Sequence, residues 1–539
     1  MIRRIVRLGA PLVALLLASA CAGSATVPAA GGSATADVPK SGGSVTIPIQ
    51  ADPTLNPWSP NAFVESIFVN RVLFDGLTKP GKDLAPAPDL AESWETSPDG
   101  LSWTFHLRQG VKWSDGQPFT ADDVAYNFND IVLKKELGAQ NAGNFSAVKS
   151  VTVIDPNTVR FDLTRRFAAL PSFLAYNAGL VPKHILQSAA DPLKDNSFNK
   201  GTPVSTGPFK VEKYVSGQGV TLVRNENYFG PQPYLDRVQF TIVPDVNTQL
   251  AQALSGEVNA MVLDNRAAVE TVKNSPNLVV APRPLVQYWW LALNQKDERF
   301  RDVRVRQAFE YAINRQAIID SVFLGYASIA NSAITPALKA YYDPSLESRY
   351  PYDPEKAKQL LAEAGWTAGP EGVLTRDGQP FRFTMITDQP LFGQVSALVQ
   401  QDLKNVGVVA DLNTTDFTTY KNSVYVTKDY TAAVSWWVYP SDPDVLPYYH
   451  SSTAEQGFNI PEYKDPKLDE LLEQGQSAPD LESRKAVYKQ LQEYMADNLP
   501  YLYLFYPQEI DVLSSSLGGV ADLNLRDGMH YIGEWWLKK

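Results

Sequence analysis

The sequence contains one cysteine, Cys21, and only four histidines, His106, His184, His450 and His530, among 539 residues. A single thiol cannot form an intramolecular disulfide, so the folded chain depends on its core for stability. The histidines are far apart in the sequence, and the cysteine lies near the amino terminus. This distribution argues against a preformed zinc site. We expect no cofactor.

Motifs of common enzymes are also missing. The chain has no Gly-x-Ser-x-Gly elbow, no phosphate loop with Gly-Lys-Ser/Thr and no Gly-x-Gly-x-x-Gly fingerprint. The stretch 146–149 matches the Ser-x-x-Lys pattern of penicillin-recognising enzymes, but it precedes the strand-like run 151–154 and has no Lys-Thr-Gly partner. We therefore expect a protein that is not an enzyme.

Positive charge is in deficit, because 48 Lys and Arg residues face 59 Asp and Glu residues and leave a net charge of -11. Nonspecific attraction to phosphates would work against such a surface, which excludes nucleic acid as an expected partner. Hydrophobic residues make up 44% of the chain and charged residues 20%. These proportions are typical of a soluble protein, and the length predicts several structural units at roughly 150 residues each.

Long hydrophobic runs are scarce. The uncharged run 8–20 follows three arginines and is too short to span a bilayer comfortably, which is typical of a signal peptide over residues 1–20. The next residue is Cys21, and the sequence Leu-Ala-Ser-Ala-Cys at 17–21 resembles a bacterial lipoprotein cleavage box, where the thiol is diacylated. Residues 21–43, rich in Ala, Gly, Ser, Thr and Pro, read as the lipidated cysteine and a flexible tether. We expect an extracytoplasmic protein, anchored by lipid to the cell membrane, in the cell envelope or periplasm.

Strand and helix signals alternate through the rest of the chain. The run 101–107 alternates apolar and polar residues, as a half-buried strand does. Thr120 reads as a helix cap, and so do Asp302, Asp353 and Asp465, two of which precede a proline. Interleaved strands and helices over this length predict an α/β protein.

Short motifs occur in a consistent order along the folded part. They include LAESW at 90–94, WSDG at 113–116, FTADDV at 119–124, TGPF at 206–209, LSGEV at 254–258, YAINR at 311–315, YDPEKAKQLL at 352–361 and NLP at 498–500. Together they resemble the signature of the bacterial family 5 extracellular solute-binding proteins, which are oligopeptide, dipeptide and nickel-complex receptors of ABC importers. The matches cover nearly the whole chain after the tether.

The resemblance implies an α/β, two-lobed periplasmic-binding-protein-like fold (type II) with an extra subdomain in the first lobe. From the order of the motifs we assign lobe I to residues 44–76, 205–295 and 500–539, its subdomain to 77–204 and lobe II to 296–499. The implied function is that of a lipid-anchored solute-binding subunit of an ABC importer. We expect a monomer that captures peptides or modified peptides between the lobes and delivers them to the permease transmembrane subunits.

The resemblance also indicates where the ligand binds. In the family's peptide receptors an aspartate lies between a tryptophan and an Asp-Pro pair, and its carboxylate pairs with the peptide α-ammonium. The corresponding stretch here is WWVYPSDP at 436–443, and an ungapped match places Tyr439 at the aspartate position. A buried ammonium without a counter-charge is costly. Either Asp442 or Asp444 supplies that charge, or the ligand lacks a free amino terminus.

The other candidate ligand-binding residues are aromatic or carry an amide. We hypothesise that Trp436, Trp437 and Tyr439 form an aromatic wall for an extended ligand, although packing of Trp437 or Tyr439 in a core is the alternative interpretation. The further candidates are Tyr288, Trp289 and Asn294 near a predicted hinge crossing, Phe63 in an early segment, and Phe458 and Asn459 at the rim of the pocket.

Three alternative functions stay open on the same fold. A sugar would stack on the same aromatic faces, so the protein could be an oligosaccharide receptor. A metal-chelate receptor is the second alternative, with His450 as the candidate ligand of a chelated nickel ion. The third is an envelope regulator without a transport role.

Overall fold

The computed structural model describes residues 38–177, 179–388, 390–455, 457–478 and 480–538. The predicted signal peptide, Cys21 and the tether up to residue 37 lie outside these ranges. The chain divides into a short unit, Met1–Val38, and a compact unit, Pro39–Lys539, and the description below concerns the second. No helix in the described ranges combines the length and the apolar character needed to cross a bilayer.

One four-stranded sheet begins the compact unit. Its strands, in spatial order, are Ser44–Ile49, Arg237–Ile242, Gly219–Arg224 and Phe209–Val215, and the first pair is parallel while the others are antiparallel. Gly219 has a φ of +132°, and a Cβ added there would lie 1.9 Å from the carbonyl oxygen of Phe240. Only glycine fits this close approach between two strands.

A second sheet of four antiparallel strands contains the alternating run predicted from the sequence. Its order is Ala91–Thr96, Ser102–Leu107, Thr158–Leu163 and Val148–Asp155. Phe105 and Leu107 point into the core, whereas the side chain of His106 is 41% exposed. The alternation in the sequence therefore predicted both the strand and its buried face.

The largest sheet in the described ranges has eight strands. Six follow the order Ala260–Val262, Leu502–Ser514, Gln287–Leu293, Ala432–Val438, Arg382–Thr387 and Val409–Thr414, while Leu278–Pro284 and Ala327–Ile329 also pair with Leu502–Ser514. The long strand Leu502–Ser514 thus pairs with four others. Smaller sheets are formed by Thr78–Pro80 with Pro86–Pro88, by Thr367–Ala368, Leu374–Arg376 and Gln379–Pro380, and by Leu517–Gly518 with Trp536–Leu537.

Helices cover these sheets. The α-helices are Val64–Leu73, Ala121–Tyr126, Leu170–Asn177, Lys183–Leu186, Asn196–Asn199, Val246–Ser255, Val269–Lys273, Val303–Ala312, Arg315–Val322, Pro354–Glu363, Pro390–Asn405, Phe417–Lys421, Leu446–Tyr449, Pro466–Ser477, Leu481–Asn498 and Leu525–Gly528. The mixture of sheets and helices is the α/β architecture predicted from the sequence. The lobe and subdomain boundaries stay predictions.

The predicted helix caps are confirmed. Asp302, Asp353 and Asp465 each precede a helix and accept hydrogen bonds from backbone N–H groups of its first turn. Thr120 and Asp123 form a reciprocal capping box at the start of Ala121–Tyr126. These short polar side chains satisfy backbone donors that have no partner inside the helix, which is why the helices begin where they do.

Two cores lie on opposite faces of the largest sheet. One face carries Tyr288, Trp290, Trp437 and Tyr439 within an unusually tyrosine-rich cluster. The other carries Trp289 among aliphatic and phenylalanine side chains. Leu84, from the hairpin between Thr78–Pro80 and Pro86–Pro88, packs into the tyrosine-rich core and so brings a distant part of the chain onto this sheet.

Candidate ligand-binding site

A cavity of about 950 Å³ lies between two distant parts of the chain. One wall comes from residues 83–103 and 166–172, and the other comes from residues 338–341, 441–442 and 476–485. Cavities of a few hundred to about 1,000 Å³ are typical of sites for small molecules. The size and the two-sided lining make this cavity the leading candidate site in the described residues.

The first wall carries an aromatic surface. Trp94 and Trp103 come from neighbouring antiparallel strands, where the register pairs Trp94 with Phe105 and Trp103 with Thr96. Because paired residues and residues two apart share a face, both tryptophans point to the same side of the sheet. The Trp103 indole donates a hydrogen bond to the carbonyl of Phe167 (3.2 Å), which fixes the ring. Apolar faces of a ligand would stack on this surface.

A buried ion pair lies in the opposite wall. Both terminal nitrogens of Arg484 donate to the carboxylate of Asp442, at 2.6 and 2.7 Å, and the two side chains are 8% and 2% exposed. Burial alone would lower the pKa of Arg484, but attraction by Asp442 outweighs it and raises the pKa well above its ordinary value. The guanidinium also lies over the rings of Tyr341 and Tyr488, 5.6 and 5.3 Å from their centroids. The two opposite charges neutralise each other in the wall of the cavity.

The second aspartate of this stretch, Asp444, is also engaged. Its carboxylate accepts hydrogen bonds from the backbone N–H of Leu446 (3.2 Å) and from the side-chain amide of Gln476 (2.8 Å). Burial raises the pKa of Asp444, and repulsion by Asp442 raises it further. Both aspartates that the sequence suggests as counter-charges for a ligand therefore already have partners in the folded protein.

Gln476 joins the two walls. Its side-chain oxygen accepts a hydrogen bond from Arg165 (2.6 Å), and its backbone oxygen accepts one from the N–H of Ala168 (3.0 Å). Both hydrogen bonds connect residues 38–204 with residues 296–499. We call Arg165, Ala168 and Gln476 the cross-wall contact.

Exposed or half-exposed charges of both signs lie at the edge of the cavity. Asp83 and Asp480 are acidic, and Arg166 and Lys485 are basic. Asp480 caps the helix Leu481–Asn498 through Ser483, and Lys485 pairs with Glu482 at 2.8 Å. Arg166 donates to the carbonyl of Asp99 (2.9 Å). The rim is thus charged while the enclosed walls are neutral.

The three residues of the hypothesised aromatic wall do not share one surface. In the strand Ala432–Val438, Trp436 pairs with Trp289 and Trp437 pairs with Tyr288, which places neighbouring residues on opposite faces of the sheet. Trp437 and Tyr439 lie on the tyrosine-rich side. Trp436 lies on the other side and is 36% exposed. Successive side chains of a strand point to opposite faces, so Trp436 and Trp437 do not line one surface.

Several predicted residues lie in the core. Tyr439 is 1% exposed and donates its hydroxyl to the carbonyl of Ala333. Tyr288 is buried and shares a hydrogen bond with the hydroxyl of Tyr449 (2.8 Å). Trp289 packs between rings of the opposite core. Their present contacts are those of packed side chains.

The two predicted amides hold the backbone. Asn294 donates to the carbonyl of Lys428 (3.2 Å) and accepts from the N–H of Lys296 (2.9 Å). Asn459 donates to carbonyls of the segment 449–463 and is fully buried. Each amide has its hydrogen bonds within the protein.

Two further predicted aromatic residues are accessible, in addition to Trp436. Phe458 is 51% exposed and contacts Trp437 and Tyr448, with ring centroids 5.6 and 5.9 Å apart. Trp437 and Tyr448 are 4.7 Å apart, so the three rings form one cluster. Phe63 is 66% exposed at the start of the helix Val64–Leu73.

Metal ligands do not converge. Among the residues that the structure describes, no group of three or more His, Cys, Asp or Glu side chains has a geometry suited to a metal ion. The ring of His450 contacts Ser452 at 2.7 Å and Glu473 at 3.2 Å.

Some residues of the cavity could not be identified as candidate site residues from the sequence. Gln476 and Arg484 lie on helices, and nothing in their local sequence distinguishes them from solvated polar residues. Trp103 carried a detectable signal, because it belongs to the alternating run 101–107 that predicts a strand. Trp94 stands out in the sequence only as part of the family motif at 90–94. Their meeting with Arg484 depends on contacts between distant parts of the chain.

Comparisons with known proteins agree with this architecture. The family described as bacterial extracellular solute-binding proteins, family 5 middle, matches residues 85–459. The oligopeptide-binding protein AppA of Bacillus subtilis is 30% identical over 478 residues, which is 87% of each chain. Its structure with a nonapeptide has a TM-score of 0.73 at 29% identity and covers 93% of this chain and 100% of that one.

Other relatives are named for different solutes. Heme-binding protein A of Haemophilus influenzae is 30% identical over 461 residues, 82% of each chain. The structure of NikZ from Campylobacter jejuni with Ni(L-His) has a TM-score of 0.73 at 26% identity and covers 92% of this chain and 99% of that one. The predicted two-lobed α/β fold is confirmed, as is the prediction of a non-catalytic protein. The chain belongs to family 5 of the bacterial extracellular solute-binding proteins.

Proposed function

We propose that the protein is the lipid-anchored, extracytoplasmic solute-binding subunit of an ABC importer and that it captures peptides or modified peptides. The observation that carries this proposal is the cavity of about 950 Å³ enclosed by two distant parts of a chain that is 30% identical to an oligopeptide-binding protein. A ligand that touches both walls favours the arrangement in which they are close together. A permease is then able to distinguish the loaded form from the empty one.

The lining suits an extended peptide. The tryptophan surface offers faces for apolar side chains, and the rim offers charges of both signs for the two termini. Among the residues predicted from the sequence, Asp442 lines the cavity. The exposed Phe458, with Trp437 and Tyr448, is proposed as a second aromatic contact for a longer ligand.

Binding measurements with single variants test the location of the ligand. Native mass spectrometry of the purified protein first identifies co-purified solutes, and a series of peptide masses is expected. Trp103→Ala should weaken peptide binding by about 30-fold, as removal of a central aromatic contact does. Tyr352→Ala removes an aromatic side chain that is 46% exposed and lies outside the cavity lining, and it should leave the affinity unchanged.

Trp436→Ala distinguishes a ligand bound in the cavity from a ligand bound on the other face of the sheet. If Trp436→Ala abolishes binding and Trp103→Ala does not, the ligand lies on the other face of the sheet and the cavity assignment is wrong. A sugar or a metal chelate in place of peptides would instead change the ligand class.

The anchor and the transporter are tested in cells. Cys21→Ser should move the protein from the membrane fraction to the soluble extracytoplasmic fraction and abolish incorporation of labelled fatty acid. Cells that lack the protein should fail to take up the identified peptide. Uptake that is unchanged would favour an envelope regulator.

A further inference from the structure

We infer that the cavity selects peptides whose enclosed side chains are neutral and apolar, and that the Asp442–Arg484 pair sets this selectivity. This inference rests on the proposed function. It goes further by naming the class of side chain that the site accepts and the two residues that determine it.

The first step of the argument is the position of the charges. Of the six charged side chains that line the cavity, the two buried ones are Asp442 and Arg484, and they bind each other through two hydrogen bonds. The other four lie at the rim and are exposed or half-exposed. The enclosed walls therefore present no net charge to a ligand.

The second step is the cost of a charged ligand side chain. A buried ion that finds no partner keeps a desolvation penalty that weak polar contacts do not offset. A lysine of the ligand would have to compete with Arg484 for Asp442, and a glutamate would have to compete with Asp442 for Arg484. Both would break a bidentate pair and leave one charge buried alone.

The third step is what the walls offer in place of charge. Trp94, Trp103 and Phe167 form the apolar surface of one wall, and Leu338 and Tyr341 contribute to the other. Burial of a leucine or phenylalanine side chain between these surfaces is favourable in proportion to its apolar area. The charged termini of the peptide remain at the rim, where charges of both signs and water are available.

A matched set of peptides tests the inference on the unaltered protein. Pentapeptides Ala-Ala-Xaa-Ala-Ala, with Leu, Phe, Gln, Lys or Glu at Xaa, are compared by isothermal titration calorimetry. We expect the Leu and Phe peptides to bind at least about ten-fold more tightly than the Lys and Glu peptides, with Gln between them. Lys or Glu peptides that bind as tightly as the Leu peptide would overturn the inference.

A change of the ion pair tests the role of the two residues. Asp442→Asn leaves Arg484 without its partner, so the Glu peptide should gain at least about ten-fold relative to the Leu peptide. Asp411→Asn is the matched control, because Asp411 is an exposed partner of Arg382 outside the cavity. If Asp442→Asn folds and shows no such gain, the pair does not set the selectivity.

The two proposals fail in different ways. If no pentapeptide binds, the proposed function fails and this inference fails with it. If peptides bind without regard to charge at Xaa, only this inference fails. Should Asp442→Asn not fold, the peptide series on the unaltered protein still decides whether the cavity selects neutral, apolar side chains.

Discussion

The cross-wall contact predicts how strongly the two walls of the cavity are held together. We expect the walls to separate when a ligand enters, and Arg165 donates to Gln476 across the gap at 2.6 Å. Arg165→Ala removes this hydrogen bond and leaves Gln476 bound to Asp444. The substitution therefore perturbs the contact without leaving a buried carboxylate short of a partner.

The expected magnitude follows from the geometry. A hydrogen bond with one charged partner contributes about 1.5–3 kcal/mol when it is buried. Because Arg165 is exposed, solvent screening reduces this contribution to about 1 kcal/mol. A loss of about 1 kcal/mol shifts the equilibrium between close and separated walls about five-fold. Peptide affinity should fall by at most the same factor, since the binding-competent fraction falls.

Distance measurements check this prediction directly. Spin labels at Glu136→Cys and Lys489→Cys, both on exposed positions of the two connected regions, report the separation by pulsed electron resonance. The ligand-free Arg165→Ala protein should show a larger population at long distance, and saturating peptide should remove the difference. Arg160→Ala is the matched control, because Arg160 pairs with Asp162 within its own sheet.

Identical distance distributions for Arg165→Ala and the unaltered protein would refute the reasoning. The walls would then be held by apolar contacts such as that of Leu84. A second substitution, Leu84→Ala, would test that explanation.

Three further predictions concern stability. Tyr439→Phe should lower the free energy of unfolding by about 1 kcal/mol because it removes the hydroxyl bound to Ala333. Tyr439→Asp should lower it by more than about 3 kcal/mol because it buries a carboxylate and empties a packed site. Urea denaturation measures both changes, and a stable Tyr439→Asp protein would contradict the assignment of this residue to the core. Burial, opposed by attraction from Arg315, raises the pKa of Glu310 to about 7. The folded protein therefore keeps a proton that the unfolded chain releases at lower pH, and the contribution of Glu310 to stability should decline as the pH rises from about 4.5 to 7. Glu310→Gln should remove that part of the decline, and parallel profiles of unfolding free energy against pH for the two proteins would contradict the prediction. Gly219→Ala should lower the free energy of unfolding by more than about 3 kcal/mol, because the added Cβ would lie 1.9 Å from the carbonyl oxygen of Phe240. Gly217→Ala, at a position with positive φ but open space, should lower it by about 1 kcal/mol. Equal changes in melting temperature for the two variants would show that the sheet adjusts to the added methyl group.

Helix starts and strands were predictable from the sequence where a residue type or pattern indicates one local structure. Aspartates at helix starts and the alternating run 101–107 define elements through contacts within a few residues, and the structure has them as predicted. The aromatic wall shows the limit of such reasoning. The hypothesis includes no strand over 432–438, and in that strand Trp436 and Trp437 point in opposite directions.

The cavity could not be predicted in the same way. Asp442 was identified through the resemblance, but its partner Arg484 lies 42 positions further along the chain. Trp103 comes from a far more distant segment, and Gln476 lies on a different helix from Arg484. Their proximity is a property of packing between elements, and no local pattern records it.

The strand Leu502–Ser514 has a consequence for the order in which the protein folds. It hydrogen-bonds to four other strands of the largest sheet, yet it lies close to the carboxyl end of the chain. During synthesis the partner strands emerge long before it does. The sheet therefore stays incomplete until Leu502–Ser514 is available, and the unpaired edges of its partner strands depend on protection until then.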